Sequence, residues 1–165
     1  MTTNRITETE IHVDPEVPLV RITREFDAPP EKVFRAHTDQ TIFTQWQGPR
    51  GYEIRIDSFD CRTGGSYRYL MSGDGFEGAF RGCFHEVRPS ELIVQTFTFE
   101  GIPDGVALER LMFEDLGDGR TRLTSTSLVD SFEGRDSFIA SGMEVGVREG
   151  YERLDALLAA DAGSE

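Results

Sequence analysis

From Gly51 to Val129 the chain alternates with period two, and beyond Ser137 its apolar residues recur every three or four positions. Few folds accept that order. Alternation makes half-buried strands, with one face on a core and the other in water. GYEIRIDSF sets Tyr52, Ile54 and Ile56 against Glu53, Arg55 and Asp57. SYRYLM puts Tyr67, Tyr69 and Met71 on one face. FEGAFRGCFHEV sets Phe76, Gly78, Phe80, Gly82 and Phe84 against Glu77, Arg81 and His85. LIVQTFTFE is apolar on both parities, and LERLMFEDL and RTRLTSTSL follow it. Turn signals at Gly64-Gly65, Ser72-Gly-Asp-Gly75, Arg88-Pro-Ser90 and Gly117-Asp-Gly119 separate these runs. Strands joined by turns this short pair with their chain neighbours, so the sheet is expected to be antiparallel.

One strand precedes this block. In LVRITREF, residues 19–26, Val20, Ile22 and Phe26 share a parity before Asp27-Ala-Pro-Pro30 stops the run. Asp27 is a candidate helix cap there, and the prolines suit a helix start. Two short helices are predicted next, one carrying Val33, Phe34 and His37 and one carrying Ile42, Phe43 and Trp46, ended by Gly48-Pro49. At the other end, Phe138, Met143, Val147, Tyr151, Leu154 and Leu158 predict one long amphipathic helix over 137–160. Gly142, Gly146 and Gly150 share a stripe of that helix. Each glycine costs ~1 kcal/mol against alanine inside a helix, so the stripe implies close backbone approach or looseness. The expected class is α+β. A curved antiparallel sheet of about seven strands wraps a long C-terminal helix, with a pocket between them.

The chain's 165 residues suit one domain, and 38% apolar residues suffice for a core. Residues 1–17 are expected to be a polar arm or a short edge strand, 18–161 the domain and 162–165 a tail. Against 17 Lys and Arg stand 30 Asp and Glu, a net charge of −13. Such a chain repels phosphate backbones and anionic membranes, so neither nucleic acid nor a membrane is an expected partner. MTTNRITETE holds no secretory pattern and no run approaches the ~20 apolar residues of a bilayer span, so a cytoplasmic location is expected. Cys61 and Cys83 are then reduced thiols.

Several short runs share an order found in one superfamily: Arg24-Glu-Phe-Asp-Ala-Pro29, Val33-Phe34, Trp46-Gln-Gly-Pro49, Gly64-Gly65 and Gly82. Pro89-x-x-Leu92 with Thr96-Phe97, Phe113-Glu-Asp-Leu116, Gly119-Arg-Thr121, Gly142-Met-Glu-x-Gly146 and Leu154 continue it. Over about 19–160 the chain resembles the START-like, Bet v 1-like helix-grip (SRPBCC) superfamily. Within it the chain looks most like the bacterial Hsp90 ATPase activator homologue-like, polyketide cyclase-like proteins. The resemblance implies the helix-grip fold. It does not select a role, since the superfamily includes ligand carriers, cyclases, hydroxylase components and antibiotic-sequestering proteins. Eukaryotic chaperone activators join such a domain to a separate amino-terminal one, for which 165 residues leave no room.

On the helix-facing parity, the candidate pocket residues are Trp46, Tyr67, Tyr69, Met71, Phe80, Phe84, Phe113, Met143, Val147 and Tyr151. Aromatic and methionine side chains offer large apolar surfaces that suit a flat or greasy molecule. Plain core is the competing reading for each. Gly78 and Gly82, set among the phenylalanines, leave volume or bend the sheet. Ser125, with Ser127, would place hydroxyls in the cavity if the Leu123 face is inward. His12, His37 and His85 show no metal-ligand spacing, so no metal and no cofactor are expected. Nucleophile elbows and phosphate loops are absent from the sequence, leaving Glu109, Arg110 and Tyr151 as a conceivable acid–base site. The reading that follows is binding of a small hydrophobic or aromatic molecule without catalysis. The alternatives are a cyclase or dehydratase using the same cavity, and a protein-interaction module such as a chaperone cofactor or homodimer.

Overall fold

The computed structural model describes residues 8–163. The parts of the expected arm at 1–7 and of the tail at 164–165 lie outside them. The described residues form β1 (Glu10–Val13), β2 (Leu19–Phe26), α1 (Pro30–Thr38), α2 (Gln40–Trp46), β3 (Glu53–Phe59) and β4 (Ser66–Gly73). β5 (Phe76–Arg88), β6 (Leu92–Phe99), β7 (Ala107–Gly117), β8 (Arg120–Leu128), α3 (Phe132–Ala140) and α4 (Met143–Gly163) follow. All strands pair antiparallel in one sheet of eight, in the order β1-β2-β8-β7-β6-β5-β4-β3. The sheet with α4 against it is the expected helix-grip architecture.

The eighth strand is β1, so this part of the arm takes the edge-strand form. Ile11 and Val13 stand opposite Ile22 and Val20 of β2. Arg148 donates to the Thr9 carbonyl, and Arg135 to those of Asp14 and Val17, which ties the segment to the helices. α1 starts at Pro30 with Pro29 as its cap, so Asp27 does not cap it as expected. Asp27 instead lies 3.5 Å from Arg120. Proline at the first helical turn leaves no amide there needing a partner. Asp39 caps α2, accepting from the Thr41 amide at 2.9 Å.

The single helix expected over 137–160 is two. Gly142 adopts φ +87°, a left-handed conformation that ends α3 and redirects the chain into α4. Apolar spacing runs through this break because Ile139 and Met143 both reach the core. The other stripe glycines do mark close approach. A Cβ on Gly150 would sit 3.1 Å from the Trp46 carbonyl oxygen, and one on Gly146 would sit 3.4 Å from Pro49.

Strand register fixes the inner face. Tyr67, Tyr69 and Met71 of β4 face Gly82, Phe80 and Gly78 of β5. The space at these glycines is filled. A Cβ on Gly78 would lie 2.6 Å from Phe76 and 2.8 Å from Phe99. Gly82 serves a particular contact, in which the Tyr67 hydroxyl reaches over β5 and donates to the Thr96 carbonyl of β6 at 2.7 Å. A Cβ on Gly82 would fall 1.9 Å from that carbonyl oxygen and 2.7 Å from the hydroxyl. Gly82→Ala is therefore expected to cost about 2 kcal/mol or more in urea unfolding, by forcing strands apart. Tyr67→Phe, which loses one hydrogen bond, is expected to cost about 1 kcal/mol plus the unpaired carbonyl.

Candidate functional site

The middle of the inner face carries one polar row in an apolar surround. From β2 to β5 it reads Val20, Ser127, Glu109, Gln95 and Phe84. Ser127 Oγ donates to Glu109 Oε2 at 2.8 Å, and Gln95 Nε2 donates to Oε1 at 3.0 Å. Burial raises the Glu109 pKa above the usual carboxylate range, and the two donated hydrogen bonds oppose that rise. Burial, reinforced by the Glu109 charge, also pushes the Tyr67, Tyr69 and Tyr151 phenols upward. The Glu109 charge thus acts on three tyrosines, two in β4 and one in α4.

The expected pocket residues divide by exposure. Trp46, Tyr67, Tyr69, Phe84, Phe113, Ser125 and Tyr151 are buried, whereas Met71, Phe80, Met143 and Val147 are half-buried. Tyr69, Phe80 and Phe97 stack in series, each pair of ring centroids 5.4 Å apart. Phe84 lies 5.2 Å from Tyr67, and Trp46 stacks on Tyr151 at 6.0 Å while its indole donates to the Ala36 carbonyl. Phe113 lies on the far side, edge-on to Phe34 and His37. Met71 abuts Gly48, and Ser125 sits between Ile22 and Leu111. The Leu123 face of β8 is inward, so both serines do point inside.

Coverage of the inner face is uneven. Tyr151, Leu154 and Leu158 of α4 are buried against it, but Met143 and Val147, one to two turns nearer the helix start, are not. Gln95, Phe97, Glu109 and Leu111 are also half-buried although they are on inward parity. The start of α4 is therefore less completely buried than its middle turns, and Glu109 is among the half-buried residues of the inner face. Arg110 points outward and is exposed, so the structure does not bring together the conceivable trio of Glu109, Arg110 and Tyr151. Both parities of this strand are apolar, through Leu108 and Met112 and through Leu111 and Phe113, which hid the orientation. Gln95 was missed for the same reason in β6. Its position opposite Glu109 follows only from the strand register.

His37 is structural. It is buried, its Nδ1 lies 2.7 Å from the Val33 carbonyl oxygen, and its ring meets Trp46 at 4.9 Å. Burial pushes its pKa down to about 4. A second concavity, of about 340 Å³, lies beside the later turns of α4. Arg24, Arg120, Glu25 and Asp155 line it and pair with one another, as in the Arg24 Nη1–Asp155 Oδ1 contact of 3.1 Å. Among the described residues no group of His, Cys, Asp or Glu is arranged to hold a metal ion. Cys61 and Cys83 are free thiols. No described helix is long and apolar enough to cross a membrane.

Comparison with other proteins agrees with this arrangement of sheet and helices. The family model for Activator of Hsp90 ATPase homolog 1-like protein matches residues 27–159. The chain belongs to that family. Its match begins at Asp27 and ends at Ala159, so it includes every element from α1 to α3 and most of α4. The crystal structure of protein Ms6760 from Mycobacterium smegmatis is 25% identical, with a TM-score of 0.83 over 91% of this chain and 96% of that one. A solution NMR structure from Arthrobacter aurescens is 28% identical, with a TM-score of 0.83 over 92% and 91%. The crystal structure of an HSP90 activator from Plasmodium falciparum is 24% identical, with a TM-score of 0.52 over 67% and 71%, and shares the fold alone. No curated protein matches the chain.

Two titrations test this geometry. A histidine held at about 4 against an ordinary 6.5 stabilises the fold above pH 6.5, and that stability is lost as pH falls towards 4. The loss is roughly 3 kcal/mol if the shift is realised in full. His37→Phe is expected to flatten that part of a stability–pH profile from urea titrations. Glu109 has the opposite sign. Its raised pKa favours the fold at low pH, and this advantage is lost as pH rises through the folded value. Glu109→Gln is expected to raise the unfolding midpoint at pH 8, with the gain vanishing near pH 4.

Proposed function

We propose that this chain binds a small hydrophobic or aromatic molecule in the cleft between the sheet and α4, without turning it over. The observation that carries this reading is the half-burial of Phe97, Leu111, Met143 and Val147, all on surfaces directed at the interior. Apolar side chains left uncovered in a concave site gain roughly 25 cal/mol for each Å² a ligand takes from water. Stacked Tyr69, Phe80 and Phe97 offer one aromatic wall, and Met143 an adaptable opposite one. Ser127, Gln95 and Glu109 supply polar atoms that orient what enters.

An acid–base enzyme finds less support, because Arg110 lies on the other side of the sheet from Glu109 and Tyr151. The HSP90 activator from Plasmodium falciparum is similar in fold, which is no support for chaperone binding here.

N-phenyl-1-naphthylamine, an uncharged fluorescent probe, is expected to bind saturably to the native protein with a blue-shifted, enhanced emission. Met143→Arg, on the half-buried start of α4, is expected to weaken that binding at least tenfold with an unchanged far-ultraviolet circular dichroism spectrum. Val147→Arg should act in the same way. Binding indifferent to both substitutions would overturn the cleft as the site.

A further inference from the structure

The cleft floor holds a charge that the fold leaves unbalanced. Among the described residues no cation pairs with Glu109, whose partners are the neutral Ser127 and Gln95. The nearest inward arginine in the sheet plan, Arg24, is committed to Asp155 and to the Glu25 carbonyl. The arrangement of the two neutral partners is informative. Each donates to a different carboxyl oxygen, which fixes the plane of the group. An ionised carboxylate has about four acceptor sites, so acceptor capacity remains on both oxygens. Its charge acts on Tyr67, Tyr69 and Tyr151, whose phenols it helps to hold protonated. Phenol rings near a carboxylate make an environment that stabilises a cation through both the charge and the π-faces.

Resting on the reading of the cleft as a ligand site, we infer that its ligand carries a basic nitrogen, a protonated amine that pairs with the Glu109 carboxylate while its apolar body lies against Phe80, Phe97 and Met143. The amine donates to the free lone pairs of Oε1 and Oε2 and neutralises the buried charge. An anionic ligand would meet repulsion at the same point. A ligand presenting a carbonyl would require Glu109 to be protonated and to donate, in competition with the hydrogen bonds it already accepts. The overall charge of −13 also favours the approach of a cation.

The test compares 2-naphthylmethylamine, its near-isostere 2-naphthylmethanol, and 2-acetylnaphthalene, each by isothermal titration calorimetry at pH 8. The amine is expected to bind the native protein at least tenfold tighter than the alcohol, the scale of one charge-assisted hydrogen bond. In Glu109→Gln the amine should lose that advantage over the alcohol, the two then binding within about twofold of each other. Glu109→Gln has its own folding control in the unfolding midpoint, which should not fall. Equal binding of amine and alcohol would overturn the inference and leave the cleft reading intact. So would an amine preference that survives Glu109→Gln, which would reflect only the acidic surface. Tighter binding of 2-acetylnaphthalene than of the amine would replace the amine with a carbonyl ligand. If none of the three binds to folded protein, the cleft reading fails and the amine inference with it.

Discussion

α4 is held to the sheet by one half of its length, and the rest of the molecule follows from that. Leu154 has no exposed surface, Tyr151 meets Phe26 edge-on at 5.4 Å, and Asp155 takes two nitrogens of Arg24. Gly150 lets the helix backbone close on the Trp46 carbonyl, which joins α4 to α2. None of these contacts involves the first two turns. There the Gly142 break redirects the chain from α3 into α4, and Met143 and Val147 pack against the core while staying only half-buried. A continuous helix from Phe132 would be steered by both segments at once. The break lets α4 take its own direction, set by the contacts of its later turns.

The inner face uses its glycines in a way that bears on how much room remains. Gly78 and Gly82 leave gaps in β5, but Phe76, Phe99 and the Tyr67 hydroxyl occupy them. The aromatic wall is consequently dense, and its rings stack in register from Tyr67 through Tyr69 to Phe80 and Phe97. Such a wall is stiff, because each ring is confined by the next. The helix side is less filled, since Met143 and Val147 pack against the core while only half-buried.

Much of this was legible in the residues. Alternation in β3, β4 and β5 is clean because their outer faces carry Glu53, Arg55, Arg68 and Glu77, so parity alone assigns Tyr67, Tyr69 and Phe80 inward. The glycine-containing turns fixed the antiparallel order. What escaped lies where the pattern carries the same signal for two outcomes. In β6 and β7 both parities are apolar, so neither Gln95 nor the outward Arg110 could be placed without the register. Gly142 belongs to a stripe of three glycines, of which two fit a helix surface and one ends a helix; spacing does not distinguish them. Glu10–Val13, where the residues allowed either an arm or an edge strand, forms the strand because β2 offers it an open edge.

Glu109 remains the feature that packing does not account for. A leucine there would match Leu111 and Phe113 on the same parity and spare the sheet a buried carboxyl. Burial raises the energy of its ionised form, and the hydrogen bonds from Ser127 and Gln95 offset only part of that. Structural carboxylates elsewhere in this chain are placed differently. Glu25 lies against Arg120 and Arg122, and Glu100 against Arg68, so their charges are balanced where they stand. A chain with 16 arginines had cations available to balance Glu109 as well. Local rules are broken where a site does something other than hold the fold together. Two neutral donors that aim a carboxylate into a partly open aromatic cleft fix its direction without quenching its charge, which is the arrangement an incoming cation requires.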